Sequence, residues 1–90
     1  MPTAEELSRL KRAIEEALGG IGDVQLSVDT NARVIVLTWR DYGLCYKLAT
    51  PIGYLNLYSF EEIARQAYVV LTQKVANAIF PQQSNAELAC

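Results

Sequence analysis

The spacing of apolar residues changes period twice along this chain, and nothing else in it constrains the fold more. Leu7, Leu10, Ile14, Ala17, Leu18 and Ile21 recur at three- and four-residue steps, the signature of one helix face. Thr3 and Glu6 have the spacing of a capping box ahead of that face, and Gly19-Gly20 ends it. Glu5/Arg9 and Lys11/Glu15 are favourable pairs four residues apart. From Val24 the period becomes two: Val24, Leu26 and Val28 alternate with Gln25, Ser27 and Asp29, as in a half-buried strand. Arg33 to Arg40 and Leu44 to Ala49 continue as second and third strands, joined by a hairpin at Tyr42-Gly43. At Ser59-Phe60-Glu61-Glu62 a second capping box returns the chain to helical period, which Pro81 stops.

This pattern predicts an α+β single domain of α-β-β-β-α order: a three-stranded antiparallel meander with both helices packed on one face. Taking Asp29–Ala32 as a four-residue loop sets Leu26 opposite Ile35. Taking Tyr42-Gly43 as a two-residue loop sets Trp39 opposite Tyr46 and Leu37 opposite Leu48. The bulky side chains then share the helix-covered face, and Val34, Val36, Arg40, Cys45 and Lys47 fall on the other. The second helix presents Phe60, Ile63, Ala64, Ala67, Tyr68, Leu71, Val75 and Ala78 to the core. Residues 54–58 are too apolar for a free loop, and are expected to cover an edge, wrap the open sheet face or add a short fourth strand. Residues 1–80 are expected to form the domain, and 81–90 a polar, disordered tail.

Charge and composition narrow the function classes. Eight basic residues face ten acidic ones, for a net charge of −2, so broad attraction to phosphate backbones or anionic membranes is not favoured. No apolar run approaches the ~18–20 residues a membrane-spanning helix needs, and no membrane partner is expected. The polar, acidic start at Met1–Glu6 does not resemble a signal peptide. Cys45 fits a small buried hydrophobe, and a bridge to Cys90 would require the tail to fold back. The expected setting is cytoplasmic.

The residue types argue against catalysis. There is no histidine, the commonest general base. No Cys/His spacing suits zinc, so no metal or cofactor is expected. Gly19-Gly20-Ile21-Gly22 follows a helix and leads into a strand, the reverse of a phosphate-cradling loop. Asp23, Asp29 and Asp41 fit turn chemistry. Glu15/Glu16 and Glu61/Glu62 are adjacent in sequence, which on a helix sets them about 100° apart rather than facing.

Two binding readings remain. The hydrophobic fraction is 51%, high for so small a body. Val69, Ala76 and Phe80 lie opposite the core stripe of the second helix, and Val34 and Val36 on the uncovered side of the sheet. These five are the candidate protein-interface residues of a non-catalytic interaction module, expected to self-associate as a homodimer or to bind another protein. Accessory or inhibitor proteins of bacterial or phage origin are often of this size. The alternative is a single-stranded nucleic-acid-binding domain contacting its ligand through Arg33, Arg40, Tyr42 and Lys47. Trp39 and Tyr46, which would complete a stacking platform, fall on the helix-covered face. The element order also resembles that of the double-stranded RNA-binding domain. That family aims clustered lysines at phosphates from the start of its second helix. Here those positions are Ser59, Phe60, Glu61 and Glu62, whose carboxylates repel phosphate. The resemblance is of element order over residues 3–80, and its function is not carried over.

Overall fold

The computed structural model describes residues 2–41 and 43–79. Helix α1 spans Ala4–Ala17, and Thr3 and Glu6 close the capping box in both directions. Its end is a Schellman turn: Gly20 N–H donates to the Glu15 carbonyl at 2.9 Å and Gly19 N–H to that of Glu16 at 3.0 Å. Gly19 sits at φ +67°, a conformation that costs a side chain about 1–2 kcal/mol. The turn throws Ile21 off the helix, so this residue is 56% exposed rather than part of the core stripe.

Strands β1 (Asp23–Asp29), β2 (Val34–Asp41) and β3 (Leu44–Pro51) form an antiparallel meander in sequence order. Trp39 pairs with Tyr46 and Leu37 with Leu48, as the two-residue hairpin predicts. The first hairpin differs: Leu26 pairs with Leu37, and Val28 with Ile35. Its loop is residues 30–33 because Asp29 stays in the ladder, opposite Val34, while its carboxylate accepts from the N–H groups of Asn31 and Ala32. Arg33 takes the left-handed conformation, at φ +55°. The slip is two residues in register, so every side chain keeps its predicted face.

Residues 54–58 are not a strand. Tyr54–Leu57 form a short helix, α2, before α3 (Phe60–Ile79). The ladder ends at Pro51, and Leu55 N–H donates to the Ile52 carbonyl and Tyr58 N–H to that of Tyr54, which winds the segment up. Ser59 and Glu62 cap α3 reciprocally. α1 and α3 lie on the same face of the sheet. Leu10, Ile14 and Leu18 meet Val24, Ile35, Leu37, Trp39 and Tyr46 below, and Ile63, Ala64, Ala67 and Leu71 beside them. Tyr68 departs from the expected stripe and is 44% exposed, because it stands about 80° from the stripe's centre, on the flank toward α1. The side chain of Ala78 lies outside the described residues.

Cys45 is buried on the face away from the helices and is disulfide-bonded. That corrects the expectation of a simple apolar thiol. Cys90 and the rest of 81–90, on which the expected tail falls, lie outside the described residues.

Candidate interaction surfaces

The five predicted interface residues do not form one patch. Val69 and Ala76 are exposed on α3, on the helix layer. Val34 and Val36 lie on the opposite side of the sheet and are half-buried. Phe80 lies outside the described residues. The thickness of the domain therefore separates the two sets.

What surrounds Val69 is a groove of about 560 Å³ between α3, α2 and the end of β3. Leu48, Val69 and Val70 supply apolar wall, Tyr54 and Tyr58 one rim, and Glu62, Arg65 and Gln66 the polar remainder. The two tyrosine rings meet edge to face with centroids 5.1 Å apart, so each fixes the other. Tyr54 is 39%, Tyr58 47% and Val69 47% exposed, and the neighbouring Leu57 is 72% exposed. Sequence reasoning missed the tyrosines. Their signal was the apolar excess of residues 54–58, which a strand would have spent on the sheet. A helix instead brings residues 54 and 58, four apart, onto one side.

Glu62 caps α3 at the polar margin of this groove. The Ser59 backbone N–H holds its carboxyl below the usual range, helped by the Ser59 hydroxyl and the Arg65 charge against a small opposing effect of burial.

A second groove, about 640 Å³, runs between α1 and α3. Arg9, Arg12 and Arg65 line it against Glu16 and Glu61, with Tyr68 at its edge. Arg9 is already held by Glu5 at 2.9 Å. The mixed charge gives this groove little preference for either sign.

The nucleic-acid candidates are dispersed. Arg33 is exposed in the 30–33 loop, at the opposite end of β2 from Arg40, roughly 23 Å away along the strand. Arg40 and Lys47 are exposed on the open face, and Tyr42 lies outside the described residues. Trp39 and Tyr46 are 5% and 3% exposed, stacked in the core with centroids 5.8 Å apart. The Trp39 indole N–H donates to the Ile21 carbonyl at 2.9 Å, so both its faces and its polar tip are used internally. The Tyr46 hydroxyl is buried without a hydrogen-bond partner. Burial, and then the nearby Asp41 carboxylate, raise its pKa.

Among the described residues, no group of three His, Cys, Asp or Glu side chains is placed to hold a metal ion. None of their helices is long and apolar enough to cross a membrane. Comparison with family models, curated proteins and solved structures finds no match to this chain.

Proposed function

We propose that this chain is a non-catalytic protein-interaction module that self-associates and offers the α2–α3 groove to a segment of a partner protein. The observation that carries this reading is the aromatic rim. Tyr54 and Tyr58 form a T-shaped pair beside Val69, and all three are open to solvent. Rigid aromatics lose little conformational entropy on contact, and apolar walls with a polar margin are the usual anatomy of a protein-binding patch.

Selection of a displayed random-peptide library on the immobilised protein tests the groove. Peptides enriched on the native chain should lose binding to Val69→Asp and Tyr58→Ser, both exposed positions whose substitution leaves the fold in place. Enriched peptides that bind both variants unchanged refute it. Sedimentation tests self-association: the average mass should rise with concentration, and a constant monomer mass into the high micromolar range removes that part. A cytoplasmic setting belongs to this reading, and it requires the disulfide of Cys45 to be reduced in the cell. Acid quenching of whole cells followed by alkylation in denaturant reads this directly, and a Cys45 that labels only after added reductant refutes the setting.

A further inference from the structure

We infer that self-association, which rests on the reading above, runs through the free edge of β1, paired antiparallel with β1 of a second copy about a two-fold axis at Leu26. The ladder's parity decides which backbone groups that edge offers. In an antiparallel ladder each residue directs its N–H and C=O to the same side, alternating along the strand. Ile52 N–H donates to the Arg33 carbonyl at 3.0 Å, and Asp41 pairs with Leu44 across the two-residue hairpin. Even-numbered residues of β3 therefore bond to β2, and even-numbered residues of β2 bond to β1. Val34, Val36, Thr38 and Arg40 pair with Asp29, Ser27, Gln25 and Asp23. The inward set on β1 is odd-numbered, so Val24, Leu26 and Val28 direct their N–H and C=O to the open side.

The two edges of the sheet are unequal. On β3 the outward set includes Lys47, whose charge resists pairing, and Pro51, which has no N–H to give. On β1 the outward set is three apolar residues with intact donors and acceptors, and no described residue pairs with them. A two-fold at Leu26 sets Val24 opposite the partner's Val28 and Leu26 opposite the partner's Leu26. Three pairs then form, each exchanging two hydrogen bonds, and a shift of the axis by one residue leaves two pairs. The same three side chains lie on the helix-covered face, yet Leu26 and Val28 are only half-buried because the sheet ends there. A second copy supplies the apolar neighbours that the edge lacks.

The contact is small. A seven-residue strand is about 24 Å long, and a sheet plus a helix layer is roughly 20 Å deep. The buried area is then on the order of 1,000 Å² for both partners, below the ~1,200–2,000 Å² of stable interfaces, which makes the dimer weak and reversible. The register also sets Asp29 opposite the partner's Asp23. Like charges so placed oppose pairing, so Asp29→Asn, which keeps the turn's acceptor, should tighten the dimer.

Sedimentation velocity and residue-resolved amide exchange on the full chain, run across the same concentration series, test this. As mass rises, the amides of Val24, Leu26 and Val28 should slow at least tenfold, while those of Lys47 and Ala49 stay fast. Val28→Pro removes an outward N–H without touching the β1–β2 ladder, and should retain the native circular dichroism while remaining monomeric. A dimer in which the three β1 amides stay fast, or a folded Val28→Pro chain that still dimerises, overturns the β1 interface and leaves self-association standing. A strict monomer overturns both.

Discussion

Replacing Gly22 by alanine tests how α1 is tied to the sheet. Gly22 has φ +79°, and a Cβ there would collide with the Trp39 indole nitrogen and lie 2.7 Å from the Arg40 carbonyl oxygen. The backbone conformation alone costs alanine about 1–2 kcal/mol. The collision forces the indole aside and breaks its hydrogen bond to the Ile21 carbonyl, leaving a buried N–H unpaired at about 1–3 kcal/mol. The sum, about 3.5 kcal/mol at mid-range, compares with a total stability of roughly 5–13 kcal/mol for 90 residues. At about 4–8 °C per kcal/mol for a domain this size, Tm should fall by roughly 14–28 °C. Urea titration followed by the fluorescence of the chain's one tryptophan reads the loss at its source. Gly20→Ala is the control, because φ is +75° there but no atom lies within 4 Å. It should cost only the conformational part, about 1–2 kcal/mol. If the two variants lose equal stability, the close approach of Gly22 to Trp39 and Arg40 is not what requires glycine.

Tyr46→Phe removes a buried hydroxyl that has no partner, and should be neutral or stabilising by up to about 1 kcal/mol in urea titration; a loss of more than that refutes the assignment. The raised pKa of Tyr46 means that ionisation favours the unfolded chain. Stability should therefore decline as pH rises above the normal tyrosine pKa, by less in Tyr46→Phe, and identical alkaline limbs would contradict this. Ser59→Ala should cost about 1 kcal/mol by removing the cap of α3, read by thermal melting. Glu62, with its pKa lowered in the folded state, stabilises above the unfolded carboxylate pKa, and that contribution is lost as pH falls through the folded value. The gap between the native chain and Glu62→Gln should close on acidification, and a gap that persists at pH 2 contradicts it.

The element order was legible because its signals are local. Both capping boxes, the glycines after α1 and the switch of apolar period act within a few residues of themselves. The hairpin at Tyr42-Gly43 was legible for the same reason: a two-residue loop leaves one register. The hairpin after Asp29 was not. A carboxylate that accepts from the N–H groups of residues 31 and 32 can do so from the loop or from the last ladder position, and pairing across the sheet chose the latter. The form of residues 54–58 was left among several alternatives, because apolar content does not distinguish a buried strand from a short helix.

The candidate site was less legible than the fold. Val69 was identified from helical periodicity, which does place it opposite the core stripe. Tyr54 and Tyr58 share its groove because α2 forms just before α3, which apolar content alone did not indicate. Val34 and Val36 were legible as a second surface, because strand alternation puts them on the side of the sheet away from the helices.

By itself the sequence determined the order of elements, their caps and which side of each strand faces the helices. These follow from backbone hydrogen bonding and from a side-chain period that a two-residue slip leaves unchanged. The tertiary structure alone decided which exposed apolar residues meet, setting Tyr54 and Tyr58 beside Val69, and how much of Leu26 and Val28 the helix layer leaves uncovered. Those outcomes depend on which distant segments share a layer, and sequence spacing carries no distance between them.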